Sequence, residues 1–197
     1  MARPAVFLDR DGVLNVEAGY LYQLEDLKLI PGSASAVRAL NDKGLFCCLV
    51  SNQSGPARNY YGIKHVEALH ERLCLLLKKE AGAFLDALYY CPYLSESAGG
   101  TNAEYTMWGT WRKPNTGMLV AAAWEHDLDL KKSYMVGDKA TDIDLANNAG
   151  LKGVLVQTGY GEKVSQGNYQ HHTQPHFTAS NLQSGVNWIL TNFDKKA

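Results

Sequence analysis

Near its start the chain runs Ala5-Val-Phe-Leu-Asp9-Arg-Asp11-Gly, an apolar stretch that stops at two carboxylates separated by one residue. A carboxylate at Asp9 can attack phosphorus and form an aspartyl phosphate, which divides one difficult displacement into two easier ones. Asp11 can serve both steps, first protonating a leaving alkoxide and then taking a proton from the water that attacks the intermediate. Three further polar clusters follow apolar runs or precede helical ones: Ser51-Asn52-Gln53-Ser54, Arg112-Lys113, and Gly137-Asp138-Lys139 with Asp142. Lys113 would set a point charge on a transferring phosphoryl group, and the Ser51 hydroxyl and Asn52 amide would hold its other oxygens. Asp9, Asp11, Asp138 and a phosphate dianion would repel one another in a dry cleft, so the set demands a divalent cation. Hard oxygen ligands point to Mg2+ on the Asp9 and Asp138 carboxylates and the Asp11 backbone carbonyl, with phosphate and water completing the shell. Asp142 is placed to orient those ligands rather than to bind metal itself.

Taken singly, each cluster has a plainer reading as turn-capping acids, a strand-end hydroxyl, a solvated lysine or a Gly-Asp turn. The elements between them change that. Ala5 to Leu8 reads as a strand buried on both faces. Ser33 caps a helix with Ala36, Val37 and Leu40 on one face, which stops near Gly44, and Leu45 to Val50 forms a second strand. Apolar residues from Ile63 to about Ala81 recur at helical spacing, and Leu85 to Cys91 is a third strand. Helices follow over Met118 to Trp124 and Ile143 to Ala149, with strands over Ser133 to Val136 and Gly153 to Val156. Phe177-Thr-Ala is a last edge strand, with Asn181 capping a helix through Val186, Trp188, Ile189 and Leu190. Such alternation predicts an α/β fold, a single doubly wound, Rossmann-like parallel sheet with helices on both faces. At least three of the clusters then meet at one edge of the sheet, in the crevice where such sheets bind ligands. The stretch from about 93 to 112 has no clear period and is long for a connection, which predicts a lid loop.

At 197 residues the chain has enough length for one well-buried core, so a single domain over residues 1–197 is expected. A net charge of -1 with no basic run offers no electrostatic pull toward nucleic acid or anionic lipid. The four cysteines follow no disulfide or CxxC spacing, as suits a reducing compartment. No signal-peptide core or spanning segment is present in the sequence, and the expected location is cytoplasmic.

The order of these clusters resembles the haloacid dehalogenase superfamily of phosphotransferases, from Val6 to about Gly159. The fuller strings LDRDGVLN, SNQSG, RKPNTGML and YMVGDK are similar to its branch of heptose bisphosphate and histidinol phosphatases. The resemblance implies a sheet of haloacid dehalogenase type with loop lids and no separate cap domain. It implies a Mg2+-dependent phosphomonoesterase working through Asp9, Asp11, Ser51 and Lys113, with Asp9, Asp11 and Asp138 as the metal set. The implied substrate is a small sugar phosphate, foremost the 7-phosphate of D-glycero-D-manno-heptose 1,7-bisphosphate, with histidinol phosphate as the alternative. Substrate contacts are implied at Glu17, Ala18, Gly19 and Tyr20, across Asn52, Gln53 and Ser54, and at Lys139. A guanidinium at Arg112 suits a distal phosphate. A monomer with no nucleic-acid or membrane partner is expected.

In one place the chain departs from that branch, whose members often hold a structural zinc through a Cys-x-His and a Cys-x-Cys pair. Here those positions read Cys91-Pro92-Tyr93 and Gly109-Thr110-Trp111. One thiolate cannot build a closed four-coordinate site, so zinc is expected to be absent and the lid to be packed by Tyr93, Tyr105, Trp108 or Trp111. Arg10 reads as a structural counter-charge, and His171, His172 and His176 as an exposed loop. Three rival functions remain. A nucleic-acid end phosphatase lacks its basic stripe here, a non-catalytic phosphoacceptor would not need Asp11, and a carbon-halogen hydrolase has no alkoxide for Asp11 to protonate.

Overall fold

A computed structural model of the chain describes residues 2–169 and 171–194. The termini of the expected 1–197 domain and residue 170 lie outside the described residues. In chain order the elements are β1 (Ala5–Leu8), α1 (Ser33–Asp42), β2 (Phe46–Asn52), α2 (Ile63–Ala81), β3 (Ala87–Cys91) and α3 (Gly117–His126). They continue as β4 (Tyr134–Gly137), α4 (Ala140–Ala149), β5 (Lys152–Val156), α5 (Gly161–Ser165), β6 (Phe177–Ala179) and α6 (Leu182–Asp194). The strands form one sheet in the order β3-β2-β1-β4-β5-β6, and every neighbouring pair is parallel. This is the doubly wound arrangement, without a separate cap domain among the described residues.

Alternation along β1 divides the core in two. Val6 and Leu8 face α1, α2 and α6 through Val37, Leu40, Leu69, Leu73, Leu77, Val186 and Ile189. Ala5 and Phe7 face α3 and α4 through Met118, Leu119, Ala122, Leu145 and Ala146. Burying one such leucine or phenylalanine side chain is worth roughly 1.5–3 kcal/mol, so a one-residue slip of β1 would forfeit several contacts on both faces at once. That slip would also carry Asp9 to the wrong side of the sheet. The core therefore sets the register of the acid.

Strand order reverses between β1 and β4, the position where a crevice opens at the carboxyl ends of the strands. Asp9 directly follows β1, Asp138 directly follows β4, and Ser51 and Asn52 are the last two residues of β2. The polar clusters expected at one edge are thus delivered by adjacent strands.

Some local expectations needed correction. Ser33 begins α1 but does not cap it; its hydroxyl donates to the Leu14 carbonyl at 2.9 Å, tying the helix to the loop after β1. Asn181 does cap α6, accepting from the Ser184 N–H at 2.9 Å. Helix α5 escaped the sequence reading because five residues are too few to show a period. The lid is packed by Tyr93 against Tyr105 and by Trp111 against Tyr89, whereas Trp108 is 78% exposed. His171 meets Asp144, an acid that is distant in sequence, while His176 accepts a hydrogen bond from the Gly153 N–H at 3.2 Å. Among the described residues no helix is long and apolar enough to cross a membrane.

His70 on α2 is buried beside Tyr90, and its Nε2 has no hydrogen-bond partner. Burial, reinforced by the Arg10 charge and opposed by Asp11, pulls its pKa down to about 3. The unfolded chain therefore binds a proton there before the folded chain does, and stability is lost as pH falls from about 6.5 toward about 3. His70→Phe should flatten this dependence by up to about 1.4 kcal/mol per pH unit, read as the wild-type minus variant difference in urea-unfolding free energy. Parallel curves for the two proteins would refute it.

Candidate active site

Asp9 is fixed at one oxygen. Its Oδ1 accepts the Arg10 N–H at 2.7 Å and pairs with the Lys113 ammonium at 2.9 Å, while Oδ2 takes no hydrogen bond among the described residues. The same ammonium meets Asp142 Oδ1 at 2.7 Å and donates to the Val50 carbonyl at 3.0 Å. Burial alone would depress the Lys113 pKa, but the Asp142 and Asp9 charges outweigh it and hold the ammonium above its ordinary range. Asn52 accepts the Lys113 N–H at 3.0 Å and donates to the Lys113 carbonyl at 3.2 Å. The amide that the sequence suggested for phosphate oxygens thus also holds the Lys113 backbone, with one of its two N–H groups.

Asp138 is completely buried. Its Oδ2 accepts the Tyr160 N–H at 2.9 Å, and its Oδ1 has no partner. Burial pushes its pKa up to about 8, against the pull of Lys139 and with a further push from Asp9 and Asp142. Oxygens of Asp9, Asp138 and Asp142 lie within 4.8 Å of one another. An orphaned oxygen among mutually repelling carboxylates fits a divalent cation. Asp142 has its other oxygen on the Lys139 N–H at 3.0 Å, where it caps α4. Its Oδ1 lies in an ion pair with the Lys113 ammonium but, like Asp138 Oδ1, is buried without a hydrogen-bond partner. Close packing enforces the arrangement. A Cβ on Gly12, where φ is +81°, or on Gly159 would fall 2.2 Å from Asp138 Oδ2, and one on Gly137 would fall 2.1 Å from Asp142.

Asp11 is gripped by its neighbours. Arg10 donates from Nε and Nη2 at 3.0–3.2 Å, Asn15 Nδ2 at 2.9 Å and Gln53 Nε2 at 3.0 Å. Burial favours the neutral acid, but the Arg10 charge and these hydrogen bonds hold Asp11 below the usual carboxylate range. In this arrangement it is an ionised base. Gln53 also donates to the Ser51 hydroxyl at 2.9 Å, so Ser51 and Asp11 share one amide. Arg10 is a counter-charge as read from the sequence, although its target is the second acid itself.

Above these residues opens a cavity of about 360 Å³. Asp11, Glu17, Gly19, Tyr20, Asn52, Gln53, Ser54, Arg112, Lys113 and Lys139 all line it. Ala18 is exposed and is not among the lining residues. Lys139 pairs with Glu17 at 2.7 Å, and Tyr20 with Ser54 at 3.2 Å. Sequence reading missed Arg58, Tyr61, Thr141, Tyr160 and Tyr169 on the walls. Of these, Tyr160 had a signal in Gly159-Tyr-Gly161, a segment tight enough to bring its N–H onto Asp138. Tyr169 stacks on it from a segment without any pattern.

Fold and site together define a phosphotransfer hydrolase of the haloacid dehalogenase type, and the HAD-hydrolase-like family model matches residues 110–184. A D-glycero-D-manno-heptose-1,7-bisphosphate 7-phosphatase of Thermosynechococcus vestitus is 67% identical over 192 residues, 98% of each chain. The Escherichia coli D-glycero-beta-D-manno-heptose-1,7-bisphosphate 7-phosphatase is 39% identical over 79% of this chain and 80% of its own. A D,D-heptose 1,7-bisphosphate phosphatase from B. bronchiseptica, solved with magnesium and phosphate, superposes with a TM-score of 0.80 at 29% identity, over 96% of this chain and 99% of its own. The chain belongs to this family of heptose bisphosphate phosphatases and is a phosphoric monoester hydrolase.

Gly12→Ala should displace Asp138 while leaving both cores intact. The expected outcome is a loss of Mg2+ affinity of about 10-fold to 100-fold by calorimetry, with the circular dichroism spectrum retained. Wild-type affinity in the variant would contradict the packing account.

Proposed function

We propose that the protein removes the 7-phosphate of D-glycero-D-manno-heptose 1,7-bisphosphate with Mg2+, through an aspartyl-phosphate intermediate on Asp9. The observation that carries this reading is the clamping of Asp9 by Lys113 and the Arg10 N–H, which leaves Oδ2 as the oxygen for attack. A relative whose structure holds magnesium and phosphate supports the choice of metal. Asp9 and Asp138, with the Asp11 carbonyl, would hold Mg2+; when bound, it would screen their charge and polarise the phosphoryl group.

The protein's own residues then divide the work. Lys113 orients Asp9 through their ion pair, and its ammonium opposes charge growing on the phosphoryl oxygens. Ser51 offers a hydroxyl to the same oxygens, while Gln53 aligns it with Asp11. Asp11 in its observed setting is prepared to take a proton from water in the second step. In the first step a phosphate dianion beside it raises its proton affinity, and a protonated Asp11 can donate to the leaving alkoxide. Glu17, Gly19, Tyr20, Ser54 and Lys139 shape the wall against which the sugar rests.

Histidinol phosphate is the second reading. It carries an amine where the heptose substrate carries an anion, and Arg112 lines the cavity without a carboxylate partner among the described residues. That charge repels an amine. We further propose one domain over 1–197, a monomer in the cytoplasm, no nucleic-acid partner and no structural zinc. Cys91, whose thiol burial pushes up, has neither histidine nor cysteine at the other positions its relatives would use.

Turnover of a panel of phosphorylated metabolites with Mg2+ tests the substrate. The heptose bisphosphate should exceed generic sugar monophosphates and histidinol phosphate in kcat/KM; equal rates would end the assignment. In the same assay Asp9→Asn should be a blank, and Asp11→Asn should lose about 10²-fold to 10⁴-fold in kcat. A near-normal rate for Asp11→Asn would favour a phosphoacceptor module instead. Elemental analysis should find zinc far below one ion per chain, and stoichiometric zinc would overturn that part.

A further inference from the structure

The cavity is lined by six charged side chains: Asp11, Glu17, Arg58, Arg112, Lys113 and Lys139. Four of them are already neutralised. Asp11 is held by Arg10, Glu17 by Lys139, and Lys113 by Asp9 and Asp142. Arg58 and Arg112 are different, for among the described residues neither has a carboxylate within ion-pair distance. They line the same cavity. Burial lowers the Arg112 pKa, and the like charge of Arg58 lowers it further.

Both guanidiniums are nevertheless held in place. Arg58 donates from Nη2 to the Ala98 carbonyl at 2.8 Å and from Nη1 to the Gly99 carbonyl at 3.4 Å, and its Nε is buried without a partner. Arg112 donates from Nη1 to the Tyr93 carbonyl at 3.3 Å. The backbone of Arg58 sits in a short 3-10 turn, Pro56–Arg58, that leaves β2 through Ser54, whose carbonyl accepts the Arg58 N–H at 3.1 Å. Each fork spends part of its donor set on lid carbonyls, and a guanidinium has five N–H groups in all. Two fixed like charges facing a polar cavity are compensated by an anion with several oxygens, the geometry for which a guanidinium fork is suited.

We propose that Arg58 forms with Arg112 a paired-guanidinium subsite that binds a second anionic group of the substrate, and that Arg58 is a specificity-determining residue for bisphosphates over monophosphates. The inference rests on the bisphosphate reading above and adds a residue to it. A bisphosphate neutralises the pair, whereas a monophosphate leaves it uncompensated. Because the same guanidinium pins residues 98 and 99, the subsite and the lid share an anchor.

The test compares kcat/KM for heptose 1,7-bisphosphate with that for heptose 7-phosphate in wild type, Arg58→Gln and Arg58→Lys. Wild type should prefer the bisphosphate. The ratio should fall about 10-fold or more in Arg58→Gln and recover in part in Arg58→Lys, which keeps the charge without the fork. A purely structural role would lower both substrates alike and leave the ratio intact, and that result overturns the assignment of Arg58. A wild type that shows no preference defeats the bisphosphate reading itself, which keeps the two failures distinct. Should the variants not fold, the wild-type protein decides the matter through phenylglyoxal modification mapped by mass spectrometry, with Asp9 blocked as its beryllofluoride adduct to prevent turnover. Heptose 1-phosphate should then protect Arg58 from the reagent while the free heptose does not; equal labelling with either overturns the proposal.

Discussion

A single buried ammonium makes the centre tenable. Lys113 lies between Asp9 and Asp142, and without it three carboxylates would share a dry pocket with no protein cation directly among them. Removing one member of a buried ion pair leaves the other charge uncompensated, a far greater penalty than the pair's net worth. The lysine is held by more than charge. Asn52 locks its backbone and the Val50 carbonyl accepts a hydrogen bond from its ammonium, so the end of β2 aims a cation at the end of β1.

Packing then removes the alternatives. Gly12 and Gly159 come so near to Asp138 that a methyl on either would strike its carboxylate, and Gly137 is equally close to Asp142. Three backbones converge where the strand order reverses, which confines the Asp138 side chain to one place and leaves one of its oxygens without a partner. The site is therefore strained electrostatically by the course of the backbone, and a cation relieves it. Asp11 stands outside that cluster in a different setting, surrounded by donors rather than acids. Two carboxylates two positions apart in the chain thus acquire different chemistry from different neighbours.

Away from the phosphoryl centre the cavity walls come from connections: the loop after β1, the turn after β2, the lid, and the segment after β5. Those are the parts free to vary while the sheet stays the same. The lid shows this freedom most plainly. There Tyr93 packs against Tyr105 and Trp111 against Tyr89.

Strand ends and helix periods leave local marks, and for that reason much of the fold and of the phosphoryl centre is legible in the amino-acid sequence. The run Ala5 to Leu8 has to be buried on both faces, its acids have to emerge at an edge, and α2 shows both ends, where its apolar spacing begins and where Gly82 stops it. Asp9 and Asp138 are visible for the same reason: each directly follows a strand, whereas Asp11 and Lys113 are read from the polar clusters they stand in. Tertiary structure alone decides what those residues touch. That Asn52 grips the Lys113 backbone and that Arg58, Tyr160 and Tyr169 line the cavity depend on chain segments dozens of residues apart. Hydrogen-bond partners and cavity walls are properties of distance in space, and a one-dimensional pattern carries only distance along the chain.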